Sequence, residues 1–260
     1  MSVEAFSWTR RALLVTLGLG LSRVAHGRSI QSGTVIVEGG TPHQLPLAAV
    51  ADLEIEAPEL ADDGPVDLAV LTLGAIEVPS GRLVSTDGLL LEGAPFVESI
   101  EPGRYPLQVV LARLANGDER IAFVVVKVVD RAASTWTNAV IEGDDPADLQ
   151  DDELSGIDVE SGIACLFDAI TLAAWRTELG RNEAMFRGLE RILRENRRPS
   201  WTWARVRAEG GSGYLFTSGL GAGSYASYWG KDASGARVSL VTDFDLLDWA
   251  GLEQASPLTA

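Results

Sequence analysis

Leu107-Gln108-Val109-Val110-Leu111-Ala112-Arg113-Leu114-Ala115-Asn116-Gly117-Asp118-Glu119-Arg120-Ile121-Ala122-Phe123-Val124-Val125-Val126-Lys127-Val128-Val129 reads as two strands joined by a tight turn. Leu107, Val109 and Leu111 alternate with Gln108, Val110 and Ala112, the period-2 signature of a strand. Asn116-Gly117 supplies two residues that tolerate positive φ, the usual chemistry of a hairpin turn. On the return strand, Arg120 to Val129, the alternation puts Ile121, Phe123 and Val125 on one face and Ala122, Val124 and Val126 on the other. Both faces are apolar, so this strand is expected in a sheet interior, covered on both sides.

Strand-like sequence continues on either side. Upstream, Thr34–Glu38 is a short β-branched run, and Val66–Val78 is apolar without a helical stripe before stopping at Pro79-Ser80-Gly81. Downstream, Thr135–Ile141 is a further strand. An acidic stretch follows, with Glu142, Asp144, Asp145, Asp148, Asp151, Asp152 and Glu153 around Pro146. Such dense like charge stays solvated, which makes residues 142–153 a surface loop or the boundary between two lobes. It lacks the alternating spacing and terminal glutamate of an EF-hand loop, which argues against a calcium site.

Two helices come next. Asp168 is placed to cap a helix from Ala169 to about Leu179, with Gly180 as its stop. A second begins at Asn182 or Glu183 and ends before Pro199, with Met185, Phe186, Leu189, Ile192 and Leu193 as its apolar stripe and Glu183–Arg187 and Glu190–Arg194 as i, i+4 pairs. Arg191, Arg194, Arg197 and Arg198 form a local basic patch. Strands return at Trp201–Arg207, Gly213–Thr217 and Arg237–Leu247. In the last, Val238, Leu240, Thr242 and Phe244 oppose Ser239, Val241 and Asp243. The expected fold class is α+β: a large, mostly antiparallel sheet system with two helices inserted before the C-terminal strands.

Charge and residue supply narrow the function classes. Among 260 residues, 37 are acidic and 21 basic, and a net charge of -16 argues against nucleic acid or an anionic membrane as the main partner. One cysteine, Cys165, excludes an internal disulfide and a cysteine zinc site. Between Ile163-Ala164 and Leu166-Phe167 it reads as a small buried residue. The two histidines are His26 and His43, and there is no Gly-x-Ser-x-Gly elbow, which leaves little for histidine-assisted nucleophilic chemistry. No metal and no cofactor is expected.

The N-terminus carries an export pattern. Arg10-Arg11 precede the apolar run Ala12–Ser22, Arg23 follows it, and Ala25-His26-Gly27 offers small residues around a cleavage point. Thr9-Arg10-Arg11-Ala12-Leu13-Leu14 resembles a twin-arginine signal. The expectation is a signal segment, residues 1–27, and a single globular domain, residues 28–260, exported to the periplasm or beyond. Uncleaved, the segment would be a membrane anchor.

The most unusual stretch is Thr217-Ser218-Gly219-Leu220-Gly221-Ala222-Gly223-Ser224-Tyr225-Ala226-Ser227-Tyr228-Trp229-Gly230. Its alternating glycines suit a backbone that cradles a ligand, but no helix follows, so it is not a dinucleotide fingerprint. The competing reading is a tight connection whose aromatics pack on the sheet. Asp158, Glu160, Asp168 and Asp243 are the carboxylates available for acid–base or metal chemistry nearby.

Several motifs in order resemble a bacterial domain-of-unknown-function family numbered 4241. They are Gly74–Asp87; Pro102–Leu107 with the hairpin and Trp136; Gly156-Ile157-Asp158, Ser161-Gly162 and Cys165–Asp168; and Ser218-Gly219, Gly221, Gly223–Tyr225, Tyr228–Gly230, Asp232, Gly235 and Leu240–Phe244. The resemblance implies no activity. The family loop reads Gly-Asp-Gly where this chain has Gly221-Ala222-Gly223. The matching residues define a candidate ligand-binding set: Ser218, Gly219, Gly221, Gly223, Tyr225, Tyr228, Trp229, Asp158, Asp168, Arg82 and Arg104. The expected function is a non-catalytic binding or interaction protein whose partner is a protein or small molecule. The alternative is a carboxylate- or metal-dependent hydrolase with its site near the glycine loop.

Overall fold

The hairpin is the centre of the larger of two sheets. The computed structural model describes residues 54–56, 65–113, 117–145, 147 and 154–246. The leader 1–27, His43, the run at 34–38, Asn116 of the hairpin turn and most of the acidic loop lie outside these residues. Strand β4 (Gly103–Arg113) pairs antiparallel with β5 (Glu119–Lys127) from Leu107↔Val126 to Arg113↔Glu119, and Gly117 takes φ +84°.

The face assignment on β5 needs one correction. The register shifts between Val110↔Phe123 and Leu111↔Ile121, so Ala122 is an extra residue, a bulge. Beyond it the alternation changes sides. Ile121 joins Val124 and Val126 in the core between the sheets, and Phe123 and Val125 take the opposite face. The Ala122 carbonyl, freed from the β4 ladder, accepts the N–H of Phe244 at 2.9 Å.

Among the described residues there are twelve strands and two helices. The remaining strands are β1 (Glu54–Glu56), β2 (Pro65–Val78), β3 (Leu83–Asp87), β6 (Thr135–Asn138), β7 (Gly156–Val159), β8 (Ile163–Asp168), β9 (Trp203–Ala208), β10 (Gly211–Thr217), β11 (Gly223–Lys231) and β12 (Arg237–Asp243). The eight-stranded sheet runs β1-β2-β4-β5-β12-β11-β6, with β7 also on β11; the four-stranded sheet runs β3-β8-β10-β9. Every pairing is antiparallel. The structure is therefore α+β, with its helices before the C-terminal strands.

Three layers result. Ile76, Leu83, Leu107, Val109, Leu166, Phe216, Trp229 and Leu240 fill the space between the sheets. The far side of the small sheet, through Val84, Cys165, Phe167 and Leu215, packs on α1 (Ala169–Arg181) and α2 (Glu183–Glu195) by way of Leu172, Trp175 and Leu189. Asp168 caps α1, accepting the Ile170 N–H at 2.9 Å. Gly180 does not stop that helix; it runs to Arg181, and Asn182 ends it while its side chain caps α2 through the Ala184 N–H at 3.0 Å. On α2 the expected Glu183–Arg187 pair forms, but Arg191 pairs with Glu195 in place of a Glu190–Arg194 contact. No helix among the described residues is long and apolar enough to cross a membrane.

Candidate functional site

Three loops meet at one end of the small sheet. The first follows β3: Asp87-Gly88-Leu89-Leu90-Leu91. The second is the β7–β8 turn, Glu160-Ser161-Gly162. The third is the glycine loop between β10 and β11. Pairing of β8 with both β3 and β10 brings them together, and the Gly88 N–H donates to Ile163 O at 2.7 Å while the Ser218 N–H donates to Gly162 O at 3.2 Å.

Asp87 holds this end. It is 2% exposed, and its carboxylate accepts five hydrogen bonds. Oδ1 takes the Leu89 N–H at 2.8 Å, the Leu90 N–H at 3.0 Å and the Ser161 hydroxyl at 2.9 Å. Oδ2 takes the N–H groups of Glu160 at 2.8 Å and Ser161 at 2.7 Å. Burial alone would raise its pKa; the hydrogen bonds from Ser161, Leu90 and Leu89 outweigh burial and hold it below the ordinary aspartate value.

The turn closes with the Leu91 N–H on Asp87 O at 2.9 Å. Leu91 sits at φ +56°, a left-handed conformation that is costly for a bulky residue. Its side chain is buried against the α1–α2 layer. Leu89 and Leu90 are consequently turned outward, 39% and 51% exposed, and Leu220 at the glycine-loop tip is 49% exposed.

The glycine loop is stapled on itself. Gly221 N–H donates to Ser218 O at 2.6 Å. The Gly221 carbonyl accepts both the Ser218 hydroxyl at 2.7 Å and the Tyr225 hydroxyl at 2.8 Å. Tyr225 is buried edge-on against Phe244 at 5.1 Å. A Cβ on Gly219 would stand 2.7 Å from Phe244 O, and its φ is +43°, so this position requires glycine. Gly223 opens β11 opposite Val159, and the next pair places Ser224 opposite Asp158, whose Oδ1 accepts the Ser224 hydroxyl at 2.6 Å.

Ser218, Gly219, Gly221, Gly223, Tyr225 and Asp158 are thus one contiguous unit. The other candidate residues lie elsewhere. Asp168 stands at the opposite end of β8, about 17 Å along the strand at the usual rise per residue. There it accepts the Ser80 N–H at 2.9 Å and the Ser80 hydroxyl at 2.5 Å, joining the Pro79-Ser80-Gly81 turn to the start of α1. Arg82 pairs with Glu142, and Arg104 approaches Glu77 at 3.8 Å. Tyr228 and Trp229 point to opposite faces of β11, Trp229 into the inter-sheet core beside Phe96. Burial first, and then Asp243 and Asp245, push the Tyr228 phenol well above its ordinary pKa.

Of the four carboxylates, Asp158 and Glu160 belong to the glycine-loop end and Asp168 does not; Asp243 directly precedes Phe244, which packs on Gly219 and Tyr225, and among the described residues no three metal-ligating side chains converge. Cys165 is fully buried, and burial pushes its thiol pKa far up.

The sequence reading passed over Leu89 and Leu90. The available signal was the turn dipeptide Asp87-Gly88 running straight into three leucines, an apolar run where a loop should be polar.

Searches among curated proteins and among solved structures return no match. One family model, described as protein of unknown function DUF4241, matches residues 76–242, from the end of β2 through both sheets and both helices to β12. The chain belongs to the DUF4241 family.

Proposed function

We propose that this is an exported, non-catalytic interaction protein whose partner docks on the loop end built around Asp87. The observation that carries this reading is the display of Leu89 and Leu90. A buried carboxylate and a strained Leu91 fix a turn whose outcome is two solvent-facing leucines. Backbone strain of this kind needs support from its surroundings and marks positions with a task. Leu220 adds a third leucine on the other side of the Ser161–Ile163 turn. Exposed Glu92, Glu160 and Asp158 edge the same end, so the surface suits an apolar patch ringed by basic residues on another protein. Ser218, Gly219, Gly221, Gly223, Tyr225 and Asp158 form the rigid base of this surface.

The test is a triple variant, Leu89→Ser, Leu90→Ser and Leu220→Ser. Its melting temperature should stay within about 3 °C of the parent, because substitutions of exposed side chains change stability little. Crosslinking in the native cell should lose the partner at least tenfold. An unchanged crosslinked species with all three leucines gone would refute the reading.

Export rests on the twin-arginine-like leader. Intact mass of the native protein should show a mature start at Arg28, after cleavage at Gly27. Replacing Arg10 and Arg11 by Lys should leave the precursor in the cytosol. Recovery of an uncut N-terminus from a soluble cytosolic fraction of the unaltered strain would overturn this part.

A further inference from the structure

The two edges of the small sheet are finished differently. At β3 the chain that follows folds back over the edge: the Phe96 N–H donates to Leu83 O at 2.9 Å, the Ile100 N–H to Gly81 O at 2.8 Å, and the Thr86 hydroxyl to Glu92 O at 2.6 Å. The β9 edge has no such cover among the described residues.

Its open groups follow from the register. The Thr217 N–H donates to Thr202 O at 3.1 Å, and Ala204, Val206 and Ala208 lie opposite Leu215, Gly213 and Gly211. In an antiparallel ladder, alternate residues carry the hydrogen bonds. Residues 202, 204, 206 and 208 therefore bond to β10, while the N–H and C=O groups of Trp203, Arg205 and Arg207 face outward. The Trp203 carbonyl is taken by the Asn196 side chain at 2.9 Å. Arg205 and Arg207 keep theirs.

The charge around this edge runs against that of the molecule. Arg194, Arg197 and Arg198 end α2 and lead into β9, and Arg207 stands exposed on the strand; none of the four makes an ion pair among the described residues. Arg205 lies over the Tyr214 ring at 5.7 Å and shares Glu77 with Arg104, so one carboxylate faces two guanidinium groups. Glu195 is engaged by Arg191, Asp118 and Glu119 beside Ser200 and Trp201 are engaged by Arg120 and Arg113, and Glu209, exposed just past the strand, makes no ion pair among the described residues. A protein of net charge -16 thus keeps an open strand edge bordered by unpaired arginines.

We propose that β9 accepts an extended acidic polypeptide segment from another protein as an added fifth strand of the small sheet. Unpaired edges are templates for strand addition, with the backbone supplying affinity and alternate side chains supplying selectivity. Side chains of the incoming strand on the Arg205–Arg207 face would be acidic. Those on the Val206 face, toward the helices, would be apolar. This site is separate from the leucine-tipped loops and does not rest on them.

A fluorescein-labelled decapeptide alternating Glu with Val and Thr tests this on the full chain. It should bind the parent, and a counterpart with Lys for Glu should not. Arg198→Glu with Arg207→Glu should weaken binding at least tenfold. Arg207→Pro removes an outward N–H without touching the β10 ladder, a position where an edge strand tolerates proline, and should also weaken binding at least tenfold. Amide hydrogen exchange at Arg205 and Arg207 should slow in the complex, a readout that remains decisive if the proline variant fails to fold. Failure of the acidic peptide to bind, equal binding of the Lys peptide, unchanged affinity in a folded Arg207→Pro variant, or tighter binding of a twelve-base-pair DNA duplex would each overturn the proposal.

Discussion

Replacing Asp87 by Ala should destabilise the protein by about 3–5 kcal/mol, read as the shift of the urea or thermal unfolding midpoint at pH 7. The carboxylate meets four backbone N–H groups and one hydroxyl in a site only 2% exposed. Alanine would take this acceptor from the four backbone N–H groups and leave the Ser161 hydroxyl with Ile163 O alone, and each donor stranded away from water costs about 1–3 kcal/mol before relaxation. Asp87→Asn should cost less, about 2–3 kcal/mol. One oxygen survives, but the amide NH2 must face donors already pointing at the other position. A loss below about 1 kcal/mol for the alanine variant would mean that the three loops hold together without this carboxylate.

The same residue predicts a pH signature. Its folded-state pKa lies below the ordinary aspartate value of 3.8, so the unfolded chain takes up the proton first as pH falls. The stabilisation is therefore fully present above the unfolded value, and it is lost as pH drops below 3.8 toward the folded pKa. The gap in stability between parent and Asp87→Asn should be constant from about pH 6 to 8 and should narrow in acid. A gap that widens in acid would assign the acid sensitivity to other groups.

How much of this was legible in the sequence depends on how local each signal is. The hairpin could be read because period-2 alternation and Asn116-Gly117 sit next to each other in the chain. The bulge could not, since Ala122 fits either face of a covered strand and leaves no mark on the pattern. Strands β3 and β8 escaped as strands for a related reason. Leu83–Asp87 is buried at every position and Ile163–Asp168 at all but its first, and a short run covered on both sides carries no period to read. The cap of α1 was legible at Asp168, whereas the end of that helix was assigned to Gly180 when Asn182 performs both ends of the helix junction. At the candidate site, the glycine loop and Asp158 could be named because their composition is unusual. Their use could not. The Gly221 carbonyl, not a row of free N–H groups, is the busiest atom of that loop. The role of Asp87 depends on Ser161, 74 residues away, and no local pattern announces a contact of that separation.

Gly213→Ala should be the most damaging single methyl group in the small sheet, at about 3 kcal/mol, the upper end for overpacking a core. Gly213 is buried within β10, one step along the register from the Tyr214↔Leu166 pair, so its neighbour on β8 is Phe167. A Cβ there would stand 2.1 Å from Phe167 Cδ1 and Cε1. The ring lies where the side chain of residue 213 would otherwise be, an aromatic covering a strand glycine. Phe167 is itself fully buried in the layer shared with the helices, so it has nowhere to retreat without moving Val84, its partner on β3. Phe167→Ala alone should cost about 3–5 kcal/mol by opening a cavity. The informative measurement is the double variant. With the ring gone, a methyl group at 213 meets empty space and fills part of it, so Gly213→Ala should cost little in the Phe167→Ala background. A double-mutant cycle should then show a coupling of about 2 kcal/mol, in the range expected for residues in direct contact. Additive costs would mean that the glycine answers to the backbone of β10 and not to the ring. Coupling of the predicted size would identify Gly213 and Phe167 as a single packing unit divided between two strands, the feature that lets the small sheet hold its helices on one side and the three loops around Asp87 at one end.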